Sequence, residues 1–158
     1  MEEIGVVPIQ KEVIVEATQQ RAFQVFTSQF AAWWPTDHNI GKQPYATSVI
    51  EPRVGGHWFE IATDGSQCDW GRVLAWEPPA RLVLSWNIGA NWQFDPLMSL
   101  ASELEIRFLP IDSLRTRVQL EHRHIERHGK GWQPLHAMLD NGWVGVLAKY
   151  QAYADGAK

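Results

Sequence analysis

Gly71-Arg72-Val73-Leu74-Ala75-Trp76-Glu77-Pro78-Pro79-Ala80-Arg81-Leu82-Val83-Leu84-Ser85-Trp86 reads as two β-strands joined by a proline-stiffened turn. Residues of a central strand cannot spare their backbone N–H groups, so Pro78 and Pro79 must lie outside the ladder and mark the connection. Leu82, Leu84 and Trp86 alternate with Val83 and Ser85, which puts large apolar groups on one face and smaller, mixed ones on the other. The large face needs a cover, and the rest of the chain must supply it.

Working outward, residues 11–17 alternate Val13, Val15 and Ala17 with charged or branched groups, as in a half-buried strand. Thr18 can cap a helix over residues 19–28, in which Ala22, Phe23, Phe26 and Phe30 recur at helical spacing. A second short helix ends at Trp33-Trp34-Pro35, because the residue before a proline is pushed out of the α region. Strands are predicted at 46–52, 57–63, 70–77, 81–87, 102–109 and 116–124. They are separated by Gly55-Gly56, Asp64-Gly65-Ser66, Pro78-Pro79 and Pro110-Ile111-Asp112-Ser113. Residues 88–101 form a longer connection, of the kind that lines functional openings. Residues 134–154 carry Leu135, Met138, Leu139, Trp143, Val146, Leu147 and Tyr150 at the spacing of one long amphipathic helix. The order is α+β: a bent antiparallel sheet wrapped on a C-terminal helix, with Gly55 and Gly56 as bulge or kink sites.

Composition bounds the function. The 158 residues, undivided by any linker, suit a single domain over residues 1–158. A net charge of −4 with scattered Lys and Arg argues against a nucleic-acid partner. There is no apolar run long enough to span a membrane and no charged-then-apolar leader at Met1 to Pro8. The single cysteine, Cys68, excludes an internal disulfide and fits a cytoplasmic protein. Placed in or near a turn beside Asp69, its thiol has an anionic neighbour that opposes thiolate formation and a nucleophilic role. No Gly-x-Ser-x-Gly elbow, phosphate-cradling glycine loop or Gly-x-Gly-x-x-Gly is present, so familiar hydrolase and nucleotide readings lose support. The anomaly is nine tryptophans, which imply either a large aromatic core or a lined cavity.

Several segments carry a resemblance. Ala22-Phe23, Trp33-Trp34-Pro35, Glu51-Pro52-Arg53-Val54-Gly55-Gly56-His57-Trp58, Gly71-Arg72-Val73, Glu77-Pro78-Pro79-Ala80-Arg81-Leu82, Trp86, Thr116-Arg117-Val118 and Gly142-Trp143 form one pattern across most of residues 11–153. It resembles that of the homologues of activator of heat shock protein 90 ATPase, within the SRPBCC or START-like (Bet v 1-like) superfamily. The resemblance implies the helix-grip fold, and a cavity between concave sheet and long helix that holds a small hydrophobic molecule. Members carry lipids and aromatic compounds, cyclise polyketides or confer toxin resistance, so the fold does not select among these. The eukaryotic namesake has a separate N-terminal domain that engages the chaperone. This sequence does not contain it, so co-chaperone activity is not expected to carry over.

Strand alternation nominates the lining. With Leu82, Leu84 and Trp86 inward, the matching sets are Trp58 and Glu60; Leu104, Ile106 and Phe108; and Val118, Leu120 and His122. Met138 and Trp143 face them from the helix, and the alternative is that these groups interlock as a solid core. The expected ligand contacts are Trp58, Glu60, Leu84, Trp86, Phe108, Leu120, His122, Met138 and Trp143. Glu60 and His122 fall among apolar neighbours, where each needs a partner; with Asp69 they are the candidates for acid–base work, against a purely structural hydrogen bond. His122, His124 and His128 invite a zinc reading, but no second cysteine and no tight His-x-x-x-His pair on a helix completes a ligand set, and neither metal nor cofactor is expected. Arg123 and Arg127 are suited to a carboxylate, either Glu126, another acidic side chain or an acidic ligand. Three functions follow: a binding protein for a small hydrophobic, aromatic or lipid-like molecule; an enzyme of polyketide cyclase, dehydratase or hydrolase type; or a module for a chaperone or other protein. A homodimer is left open.

Overall fold

The computed structural model describes residues 6–36 and 40–156. The first five residues of the stretch read for a leader, and residues 157–158, lie outside the described residues.

Strand β1 (Ile9–Val15) is followed by α1 (Gln19–Thr27) and α2 (Phe30–Trp33). Thr18 takes extended angles and its side chain accepts a 3.1 Å hydrogen bond from the Arg21 N–H, satisfying one of the free donors of the first turn. Chain extension at Trp34 (ψ 134°), just before Pro35, ends α2. The sheet continues with β2 (Tyr45–Ile50), β3 (His57–Ala62), β4 (Gln67–Glu77), β5 (Arg81–Trp86), β6 (Ser102–Pro110) and β7 (Thr116–Arg123), and α3 (Trp132–Gly156) closes the chain. All neighbours are antiparallel, in the order β1-β7-β6-β5-β4-β3-β2. This seven-stranded curled half-barrel with a long C-terminal helix is the α+β helix-grip fold.

The opening hairpin is β4 and β5, whose last pair, Glu77 with Arg81, leaves both prolines outside the ladder. Curvature comes from elsewhere than expected. Gly55 (φ +84°) and Gly56 sit in the turn before β3, a conformation that favours glycine, and are not bulge residues. The register slips instead where Trp58 pairs Gly71 but Phe59 pairs Asp69, so Trp70 is the inserted residue, and again between Val73 and Ala75. Gly71 is obligatory at the first slip: a Cβ there would lie 2.0 Å from the Ser85 carbonyl oxygen and 2.7 Å from the Trp58 indole nitrogen. Cys68, expected near a turn, lies in β4 opposite Glu60, because β4 starts three residues earlier than its apolar pattern indicates.

The concave face is covered by α1, α2 and α3. Phe23, Phe26, Trp33 and Tyr150 form edge-to-face or tilted ring contacts with centroids about 5 Å apart, and Phe108 joins them from β6. Helix α3 is tied back to the first strand by Lys11–Asp140 (2.9 Å), Gln151 to the Ile14 carbonyl (2.8 Å) and the Glu16 N–H to Asp155 (2.8 Å). On the convex face Glu105 accepts from Arg81 (2.5 Å), Arg107 (2.9 Å) and Arg123 (2.6 Å). Burial raises the Glu105 pKa, but the hydrogen bonds from Arg107, Arg81 and Arg123 outweigh it and hold the carboxyl at about 2. Among the described residues no helix is long and apolar enough to cross a membrane.

Candidate functional site

The concave face and α3 border a half-open cavity of about 330 Å³, at the small end of the range of about 300–1,000 Å³ typical of small-molecule sites. Its walls are mainly indoles: Trp34 from the end of α2, Trp70 from the β4 bulge, Trp86 from the end of β5, Trp92 from the 88–101 connection and Trp143 from α3. Met138 and Leu139, with Val146 two turns further on, complete the α3 side as the helical period dictates. Met138 is otherwise 54% exposed, so it stands at the rim. Trp92 is held at φ +60°, where a bulky side chain is rare, which sets its ring against the opening. No described lining residue is ionisable.

Each indole N–H shows what its ring is for. Trp33 donates to the Val25 carbonyl (2.8 Å), Trp58 to the Ser85 carbonyl (2.8 Å), Trp70 to Glu60 Oε1 (2.9 Å) and Trp143 to His122 Nδ1 (3.1 Å). Trp86 Nε1 is buried and has no acceptor among the described residues. A buried donor without a partner costs about 1–3 kcal/mol, and here it belongs to a cavity wall.

Trp86, Met138 and Trp143, of the nominated ligand contacts, line this cavity. Glu60 lines an adjoining recess, while Trp58, Leu84, Phe108, Leu120 and His122 are buried in the layer behind. The pairing of Glu60 with His122 does not form. Glu60 Oε1 accepts from the Ile40 and Gly41 backbone N–H groups and from Trp70, whereas His122 belongs to a different chain of hydrogen bonds. Asp69, the third acid–base candidate, is bound to Gln67 (2.9 Å) and lies 3.3 Å from His57 Nδ1, and lines neither space.

The His122 chain was not legible in the sequence. Its Nδ1 accepts from Trp143, so its Nε2 carries the proton and donates to Ser102 Oγ (2.8 Å), which is also 2.8 Å from His128 Nε2. The Ser102 hydroxyl proton is left for His128 Nε2 or for the Trp86 carbonyl, 3.5 Å away. Burial, reinforced by His128 and His136, lowers the His122 pKa to about 3, so the ring is neutral as this arrangement requires. The one signal available was the even spacing of Ser102 and His122 on strands that turned out to be neighbours.

His124 leaves the strand alternation by adopting φ +65°, so it does not share the face of His122, and the described residues hold no cluster of three metal-ligating groups. Arg123 and Arg127 find Glu103, Glu105 and Glu121 on the convex side instead of Glu126 or a cavity ligand. Burial pushes the Cys68 thiol up to about 11, with Glu60 and Asp69 adding to it.

Residues 16–155 match the family described as Activator of Hsp90 ATPase homolog 1-like protein. A comparison with curated proteins finds no match. Among solved structures, the chain is similar to an anthrahydroquino-γ-pyrone synthase, Txn09, complexed with a ligand designated SUM: 40% identity over 94% of this chain and 97% of that one, TM-score 0.67. It is also similar to CalC, a self-sacrificing resistance protein from Micromonospora echinospora, at 26% identity over 94% of both chains and TM-score 0.68. An AHSA1-like protein from Aeromonas hydrophila, at 18% identity over 94% of this chain and 93% of that one with TM-score 0.60, shares the fold. With the match covering most of its length, the chain belongs to the Activator of Hsp90 ATPase homolog 1-like family, on the SRPBCC (Bet v 1-like) fold.

Proposed function

We propose that this chain holds a planar, polycyclic aromatic molecule of the polyketide type in the tryptophan-lined cavity and closes an oxygen-containing ring on it. The observation that carries the reading is the cavity itself: indole walls offer flat apolar faces, and Trp86 Nε1, a buried donor with no partner among the described residues, suits a carbonyl oxygen of the guest. The 40% identity to a γ-pyrone synthase over nearly the whole chain supports the reaction class.

The described lining offers indole faces, aliphatic groups and the Trp86 N–H, which act by placement and by a hydrogen bond. Holding a phenol oxygen against an unsaturated carbon conjugated to a ketone converts ring closure into a first-order event. The C–O bond forms as the π pair moves toward the ketone oxygen, where the Trp86 N–H receives the developing charge. The phenol proton leaves and a proton returns to the adjacent carbon.

A second reading, sequestration without turnover, is favoured by the apolar indole walls and by the likeness to a resistance protein. One experiment separates the two. An aryl ynone bearing an ortho-hydroxyl is incubated in excess with the protein and followed by liquid chromatography with mass detection. More product molecules than protein molecules support ring closure; stoichiometric retention of unchanged compound supports sequestration; no retention and no product refutes both. On either reading the partner is a small molecule and not nucleic acid, a homodimer stays open, and the proposed place of work is the cytoplasm.

A further inference from the structure

Beside the tryptophan cavity lies a second recess of about 320 Å³, and Ile40 lines both. Glu60 is its buried acid, with the residue 1% exposed. Three donors, the Ile40 and Gly41 backbone N–H groups and the Trp70 indole, converge on Oε1, while Oε2 has none among the described residues. No described Lys, Arg or His forms an ion pair with Glu60. The carboxylate is therefore clamped by one oxygen and offers the other. Such an oxygen is strongly disfavoured when buried unless something donates to it. Gly41 keeps the approach open, since a Cβ at that position would stand 3.3 Å from Oε2. The Cys68 thiol, held protonated by its raised pKa, adds no second negative charge to the recess.

We infer that Glu60 Oε2 is the acceptor for a hydroxyl group on the ligand, so that the molecule in the tryptophan cavity extends a hydroxyl-bearing arm past Ile40 into the Glu60 recess. This rests on the proposed reading of the main cavity and adds its specificity: a hydroxylated aromatic guest over its O-methylated or unsubstituted counterpart. Trp70 links the two spaces physically, as its ring is a wall of the first and its N–H fixes the carboxylate of the second.

The test titrates the full chain with hydroxymethylanthraquinone and with its methyl ether, following quenching of tryptophan emission. An acceptor hydrogen bond to a buried carboxylate makes the alcohol bind about tenfold or more tightly, because the ether has no proton to give. In Glu60→Gln the amide oxygen takes the place of Oε1 against the three N–H donors and the NH₂ replaces Oε2. The acceptor becomes a donor, and the preference shrinks to nothing or reverses toward the ether. Gly41→Ala keeps the charge but crowds Oε2, and lowers the preference as well, which serves if the glutamine variant does not fold. Equal binding of alcohol and ether by the unmodified protein overturns the inference while leaving the main cavity reading intact. An unchanged preference in a folded Glu60→Gln variant also overturns it. Binding of neither compound overturns both.

Discussion

His122 supplies a pH test whose sign follows from burial. The folded protein keeps its imidazole neutral down to about pH 3, because solvent is excluded and Nδ1 is committed to the Trp143 N–H. In the unfolded chain the same ring titrates near pH 6.5. Between these values the unfolded state binds a proton that the folded state does not, so stability falls as pH falls below 6.5. At pH 5 the loss is about 2 kcal/mol, from about 1.4 kcal/mol for each pH unit below 6.5. Glu105 is separable, since its pKa is depressed and its contribution is lost only as pH falls below the ordinary glutamate range toward about 2. His128, also lowered by burial and faced by Asp95, acts in the same direction as His122. The assay is urea unfolding at pH 7, 6 and 5 for the unmodified protein, His122→Asn and His122→Asn with His128→Asn. The unmodified protein should lose about 2 kcal/mol or more over this window. His122→Asn starts lower, having disturbed Trp143 and Ser102, but its pH dependence should be flatter by about that amount, and the double variant flatter still. Parallel curves for the unmodified protein and His122→Asn would refute the assignment of a buried, neutral imidazole.

Four further outcomes are expected. Gly71→Ala forces the Ser85 carbonyl and the Trp58 indole apart, adding overpacking to a broken buried hydrogen bond; a loss of about 3–5 kcal/mol, or about 10 °C in Tm, should appear by calorimetry. Trp86→Phe removes a donor that had no acceptor and Trp58→Phe removes one that had, so at similar volume change Trp58→Phe should be the more destabilising by about 1 kcal/mol in urea unfolding. Glu105→Ala strands Arg81, Arg107 and Arg123 together and should cost about 2 kcal/mol at pH 7, with little cost at pH 2, where the carboxylate is half protonated. Cys68, with its thiol pushed up to about 11, should react with a disulfide reagent at pH 8.5 roughly a hundredfold more slowly than a free cysteine, and urea should restore the rate.

The fold was legible because it depends on periods that survive in one dimension. Residues two apart on a strand share a face, so Leu82, Leu84 and Trp86 fixed the sense of β5, and the same rule put Leu104, Ile106, Phe108, Val118, Leu120 and His122 inside, where each is at most 5% exposed. The bulges were not legible. Trp70 enters the cavity because β4 gains a residue against β3, and nothing in the alternation of residues 70–77 announces that slip. The partners of buried polar groups were equally hidden. Glu60 and His122 occupy inward positions on β3 and β7, but the sheet order sets three strands between them, so each met whatever a helix or neighbouring strand offered.

Nine tryptophans left open whether this was a core or a binding site, and the difference lies in single atoms. A ring whose N–H is spent on the protein, as in Trp33, Trp58 and Trp143, is held at one angle and builds walls. Trp86 packs on Trp58, His122 and Trp143 with centroids 5.5–6.0 Å apart, so its ring is as firmly seated as theirs, yet its donor is uncommitted. Packing alone gives no reason for tryptophan at that place, since phenylalanine would fill it without burying an unpaired N–H. Glu60 makes the same argument with the opposite polarity, because one oxygen clamped by three donors would suffice to satisfy Trp70 and the 40–41 backbone, and the second oxygen has no structural task. A donor and an acceptor that find no partner among the described residues, in adjoining spaces that share Ile40, fit the guest proposed above, with a carbonyl at one end and a hydroxyl at the other.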